Sequence, residues 1–158
     1  MENYMEGRQR QIQEYKEILE PLMAYKAWFE KNSGKAGSRT YQGQGIGKNS
    51  VAFPVYDPTL INFIKEAETT ALMNRNYSYV YTRHRIRSHD DERKVIAAAE
   101  LRDWDVLCGI LSKYVLGGRT RPTLWSEAVE ENIFALVLGR MRSIIEFWDK
   151  SGDRGTQF

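Results

Sequence analysis

The sequence predicts a mostly α fold: a compact bundle of about five or six helices forming one domain over residues 1–150. Three observations carry that prediction. Apolar residues recur at three-to-four spacing through most of the chain, as on one face of a helix. Helix-start signals stand where such faces begin, at Asp57-Pro58 and at Ser88-His89-Asp90-Asp91. Residues 110–120 followed by 124–130 read as a buried helix, a glycine stop, a short basic turn and a second helix, which is a helical hairpin.

The elements follow in chain order. Ile12, Tyr15, Leu19, Leu22 and Met23 share a helical face, and Pro21 predicts a break or kink near Glu20 because it removes a donor and crowds the preceding turn. Ala24, Ala27, Trp28 and Phe29 belong to the piece beyond it. Residues 32–50 hold Gly34, Gly37, Gly43, Gly45 and Gly47 among polar neighbours, which predicts a long loop or flap with little to bury. Val51, Phe53 and Val55 alternate and permit a short extended segment. Asp57-Pro58 opens a helix with Leu60, Ile61, Phe63, Ile64, Ala67, Ala71 and Leu72 on its face, and Asn74 and Asn76 are its expected stops. Tyr77, Tyr79 and Tyr81 alternate with Ser78, Val80 and Thr82. This period of two predicts a strand over 77–86, making a small two-stranded extended element with 51–56. Ser88 caps the next helix, with Asp91 in the reciprocal position. Asp103 is the expected cap of a helix carrying Trp104, Leu107, Ile110, Leu111 and Tyr114, which Gly117 ends in a left-handed cap. The last helix starts near Thr123. Val129, Leu136, Val137, Met141, Ile144, Ile145 and Trp148 face the core, and residues 151–158 form a frayed tail.

Composition narrows the function classes. A balance of 23 basic against 21 acidic residues does not by itself indicate a nucleic-acid binder. No apolar run reaches the ~20 residues that a membrane span needs, and the first residues lack the pattern of a signal peptide. One cysteine, Cys108, allows no intrachain disulfide and fits a cytoplasmic location. It lies on an apolar helix side, which predicts an inert buried thiol.

Tyr56-Asp57-Pro58-Thr59-Leu60, Leu72-Met73-Asn74-Arg75-Asn76-Tyr77, and Leu111-Ser112-Lys113-Tyr114-Val115-Leu116-Gly117-Gly118-Arg119 followed by Trp125-Ser126-Glu127-Ala128-Val129-Glu130 form a recognisable combination. It resembles a domain family of unknown function found in bacteria and their mobile elements. The resemblance spans residues 10–148 and is most specific in the last fifty of them. It implies a single helical domain and brings no activity, cofactor or catalytic residue. Family members usually have glycine after the Val-Glu pair, where this chain has Glu131-Asn132.

Gly47-Lys48 suggests a phosphate loop, but Gln42 stands at the first glycine position and Asn49 at the hydroxyl position, so a plain loop is favoured. His84 and His89 lie five apart and share neither a strand face nor a helix turn, so no metal site is expected. Arg83, Arg85 and Arg87 beside Tyr77, Tyr79 and Tyr81 form the best strip for phosphates and stacked bases. The same residues also describe a solvated face with arginines on rings. Arg119, Arg121, Trp125 and Glu127 gather at the hairpin turn, as ligand contacts or as surface ion pairs. The function expected is non-catalytic binding to a protein partner, as in a bacterial or phage accessory protein; an inhibitor of a host defence system is one such. A nucleic-acid or nucleotide module using residues 77–87 is the alternative, with an anionic small molecule as another possible partner. A second alternative is an enzyme with an unfamiliar site near Arg119 and Glu127. No cofactor is expected.

Overall fold

The computed structural model describes the backbone of residues 2–34, 38–42 and 52–156, and the side chains of 6–34 and 56–149. Eight α-helices stand among the described residues: α1 (Glu2–Met23), α2 (Lys26–Lys31), α3 (Pro58–Glu68), α4 (Tyr77–Arg83), α5 (His89–Ala98), α6 (Trp104–Gly117), α7 (Thr123–Glu130) and α8 (Ile133–Thr156). Two short strands, β1 (Ser38–Gln42) and β2 (Ala52–Tyr56), pair antiparallel with Ser38 opposite Tyr56 and Gln42 opposite Ala52. The fold is mostly α, as expected, with more helices than the predicted five or six.

α6 is the central element. Eleven of its fourteen residues are buried, among them Leu107, Ile110, Leu111, Tyr114 and Val115. A helix that is apolar nearly all round has to be covered on every side, and α3, α4, α7 and α8 all pack against α6. The ring cluster Phe29, Phe63 and Phe134 joins α2, α3 and α8, with centroids 4.7 to 5.2 Å apart. Tyr15 of α1 stacks on Trp104 at the start of α6, 4.1 Å between centroids and 5° between planes. Of the core residues expected in the C-terminal half, Leu107, Ile110, Leu111, Val129, Val137 and Met141 are buried, whereas Leu136 is only partly buried against the core.

Several boundaries differ from expectation. α1 runs through Pro21 and breaks two residues after it. Leu22 is fully buried, and holding it on the α1 face outweighs the one backbone bond that proline removes. Within 32–50, residues 38–42 are strand rather than loop, and the remainder from 43 lies outside the described residues. α3 starts as predicted, with Thr59 N–H donating to Asp57 Oδ1 at 2.8 Å, but ends at Glu68, before Asn74 and Asn76.

The expected strand over 77–86 is a helix to Arg83 and a turn beyond it, and β2 pairs with β1 instead. Val80, sitting between the tyrosines, decides it. Val80 is buried against Gly109 of α6, where an added Cβ would lie 2.7 Å from Val80 Cγ1. That close approach places Tyr77, Val80 and Tyr81 at helical spacing and leaves Tyr79 59% exposed.

α4 ends in a Schellman turn. Arg85 N–H donates to Thr82 O at 3.2 Å and Ile86 N–H to Tyr81 O at 3.0 Å, with Arg85 left-handed at φ 55° and Ile86 buried. Gly117, in contrast, is helical, and the following cap Gly118 is right-handed at φ −66°. Its glycine serves proximity, because a Cβ there would sit 2.0 Å from Trp125 Nε1. Asp103 does not cap α6 with its side chain; it accepts from Glu100 N–H at 3.0 Å in the preceding 3-10 turn, Leu101–Asp103.

The helix predicted from Thr123 is two helices. They meet at Asn132, left-handed at φ 62°, a conformation that asparagine tolerates better than most side chains. α8 then continues to Thr156, past the point where a frayed tail was expected.

Candidate functional site

The functional candidates converge where α4, α5, α6 and α7 meet. Helix spacing brings Tyr77 and Tyr81 to one side of α4. The Ser88 cap, which accepts from Asp91 N–H at 3.1 Å, starts α5 so that His89, Glu92 and Arg93 fall at its first turn. Asp90, Asp91 and Glu92 there suit the positive end of the helix dipole. α6 contributes Lys113 and Tyr114, and α7 contributes Glu127.

Glu92 is the centre. It is 1% exposed, so its charge has to be met by protein groups. Tyr114 Oη donates to both carboxylate oxygens at 2.8 Å, and Tyr81 Oη donates to Oε2. His89 Nδ1 lies 2.7 Å from Oε1, and Lys113 Nζ lies 3.8 Å from Oε2. The other His89 nitrogen, Nε2, lies 2.8 Å from Glu127 Oε1. Both ring nitrogens face carboxylates, which can only accept while ionised, so the imidazolium is the form that satisfies both bonds. Burial alone would lower the His89 pKa; the bond to Glu92 and its charge, the bond to Glu127 and the charge of Glu131 outweigh it and raise the pKa. Burial, with the Glu92 charge and hydrogen bonds behind it, drives the Tyr81 and Tyr114 hydroxyls far above the ordinary phenol range. They are fixed donors.

A cleft of about 350 Å³ opens beside this network. Tyr77, Tyr81, Lys113 and Arg121 line it, with the hydroxyls of Ser78 and Thr120 and the side chain of Leu124. Lys113 stands over the Tyr81 ring at 4.6 Å and the Tyr114 ring at 5.0 Å, so its ammonium is held in place. α7 begins at Thr123, two residues after Arg121, and its positive end adds to the local field.

The fold therefore brings together Tyr77, Tyr81, Arg121 and Glu127 from the sequence candidates. Arg119 stands apart. It forms a two-pronged ion pair with Glu68, with Nε 3.0 Å from Oε2, and lies over the Trp125 ring at 5.4 Å. Trp125 is anchored by Nε1 donating to Val115 O at 3.1 Å, so this pair clasps the hairpin turn to α3. Tyr79 is exposed and outside the cleft, and Arg83, Arg85 and Arg87 are exposed on the last turn of α4 and the connection after it. The aligned strip of tyrosines and arginines expected over 77–87 does not form, because its segment is helix followed by turn. Glu127 and Glu131 are half-buried and engaged with His89 and Arg93.

Sequence reasoning missed Glu92, His89, Lys113 and Tyr114 as a unit. Their one readable signal was the last acid of the Asp90-Asp91-Glu92 run, at the position that faces the core, three residues after His89 and four before Ile96. Cys108 is a buried thiol pushed up to about 12, first by desolvation and then by the Asp105 charge. Among the described residues no group of His, Cys, Asp or Glu has the arrangement of a metal site, and no helix is long and apolar enough to cross a membrane. No family model matches the chain, and no curated protein or solved structure is significantly similar to it.

Proposed function

We propose that this protein acts by binding rather than by catalysis, and that the cleft between α4, α6 and α7 seats a small ligand through its phosphate or carboxylate group. The observation that carries the reading is the convergence of Lys113 and Arg121 on one cleft whose remaining polar groups are hydroxyls. The lining holds two cationic side chains, Lys113 and Arg121, and no carboxylate, and the buried Glu92 behind Lys113 lies 3.8 Å from its Nζ. The cleft volume falls at the lower end of the ~300–1000 Å³ typical of small-molecule sites. Tyr77 supplies an aromatic wall for a planar group attached to the anion.

Binding is favoured over acid–base chemistry by the state of the titratable groups. The tyrosine hydroxyls are committed donors, His89 has a carboxylate on each nitrogen, and the one thiol is buried and protonated. A general base needs an unengaged lone pair near the working pH.

The test is titration of the isotope-labelled protein with inorganic phosphate, then with a nucleoside monophosphate, followed by amide chemical shifts at low salt. Shifts clustered at residues 77–81 and 113–124, and lost in Arg121→Ala, are the expected result. Shifts that scatter over the surface, or that persist in Arg121→Ala, would remove the cleft from consideration. Tighter binding of the nucleotide than of phosphate places a ring on Tyr77; equal binding leaves anion recognition alone.

A further inference from the structure

Lys113 stands between the cleft and the buried network behind it. It lines the cleft together with Arg121, and its ammonium lies over the rings of Tyr81 and Tyr114. It pairs with Glu92 at 3.8 Å from Nζ to Oε2, which is an ion pair beyond hydrogen-bonding distance. Among the described residues its three N–H groups have no hydrogen-bond acceptor. A side chain held by rings and charge, with its donors unused, can meet an incoming anion without first breaking a hydrogen bond.

Glu92 has a second cation on its other oxygen. His89 Nδ1 lies 2.7 Å from Oε1, and His89 Nε2 lies 2.8 Å from Glu127 Oε1 on α7. The ammonium and the imidazolium therefore share one buried carboxylate. Two like charges on opposite oxygens of such a group feel each other strongly, because little water screens them. The other groups around His89 are fixed donors or engaged pairs. Tyr114 of α6 and Tyr81 of α4 donate to Glu92, and Tyr114 Oη also lies 3.3 Å from His89 Nδ1. Glu131, at the end of α7, adds its charge to His89 while pairing with Arg93. On α5 itself, Asp90 pairs with Arg93, and Asp91 Oδ2 accepts from Arg87 N–H. α8, also packed on α5, brings Arg140, whose Nε donates to Ala99 O at the far end of that helix. Histidine is the member of this set whose ordinary pKa lies nearest neutrality.

We propose that anion binding in the cleft is coupled to the protonation of His89 through the shared carboxylate of Glu92, so that the cleft takes anions more tightly as the pH falls. The coupling rests on the anion reading of the cleft. An anion on Lys113 and Arg121 draws the ammonium charge away from Glu92. Glu92 then depends on the imidazolium, and the His89 proton is held more firmly. Release of that proton to solvent reverses the balance. Glu92 keeps Lys113 as its one remaining cation, and the anion has to compete with a buried carboxylate for it. Linkage makes the two effects equal: a rise in the His89 pKa of about 0.5–1 at saturation corresponds to about three- to tenfold weaker anion binding once His89 is neutral.

The test is a sulfate titration of the isotope-labelled full chain, because sulfate keeps its charge over the range in which histidine titrates. Ionic strength is held constant with chloride. Amide shifts at residues 77–81 and 113–124 give the affinity, and imidazole carbon and nitrogen shifts give the pKa values of both histidines. Affinity is expected to fall about three- to tenfold as the pH rises through the His89 titration, and saturating sulfate should raise the His89 pKa by the matching amount. His84, exposed at the end of α4, should move less than His89. In His89→Gln the affinity should no longer vary with pH. Cleft shifts with one affinity at every pH and an unmoved His89 overturn the coupling and leave the anion reading standing. No cleft shifts at any pH overturn both. Equal movement of His84 and His89, or a pH profile that survives in His89→Gln, puts the dependence outside the Glu92 network and also overturns the coupling. The ring titration uses the unaltered chain, so it decides the matter even if His89→Gln fails to fold.

Discussion

Replacing Tyr114 by Phe isolates the energetic centre of the molecule. The ring of Tyr114 is fully buried, meets Phe134 edge-on at 6.2 Å and carries Lys113 above it. Phenylalanine keeps all of that and removes only the hydroxyl that donates to both oxygens of Glu92 at 2.8 Å. A hydrogen bond to a charged acceptor contributes ~1.5–3 kcal/mol. Glu92 retains Tyr81, His89 and Lys113, so the carboxylate is not orphaned and the cost should fall near the lower end, about 2 kcal/mol. Glu92→Leu is the contrasting change. It leaves two buried tyrosine hydroxyls and two cations without their common partner, for which ~3–5 kcal/mol is the expected loss. Urea unfolding followed by tryptophan fluorescence measures both, provided the slope with denaturant stays constant. If Tyr114→Phe costs under ~0.5 kcal/mol, or more than Glu92→Leu, the assignment of Glu92 as the hub linking α4 to α7 is wrong.

Other outcomes follow from the same geometry. His89 has a raised folded pKa, so its contribution to stability is complete below the unfolded value of ~6.5 and is lost as pH rises through the higher folded value; urea midpoints should decline over that interval, and His89→Gln should flatten the decline. Arg85 occupies a left-handed position at φ 55°, so Arg85→Gly should stabilise by ~0.5–1 kcal/mol in the same assay, and a destabilisation would show that the arginine side chain holds the turn. Gly118→Ala should destabilise by at least ~2 kcal/mol, because its methyl group would enter the Trp125 indole; a shifted tryptophan emission maximum would report displacement of that ring, and an unchanged spectrum with unchanged stability would contradict the packing.

The sequence by itself determined the helical class, the start of α3 at Asp57-Pro58, the Ser88 cap and most of the C-terminal core. These depend on local chemistry: a short side chain that caps a neighbouring amide, a proline that suits a first turn, apolar residues at helical spacing. It could also nominate Tyr77, Tyr81, Arg121 and Glu127 by residue type. Only the tertiary structure decided which way the tyrosine-rich segment went, because alternation of Tyr with Ser, Val and Thr satisfies a strand locally. The contact of Val80 with Gly109, twenty-nine positions away, makes it a helix. The same holds for Glu92. In sequence it is the third acid of a run that reads as solvated surface, and its partners in space come from α4, α5 and α6, up to twenty-two residues away, with α7 reached through His89. A buried charge is stable only when distant groups converge on it, and that convergence is a property of the packed helices, beyond the reach of any local pattern.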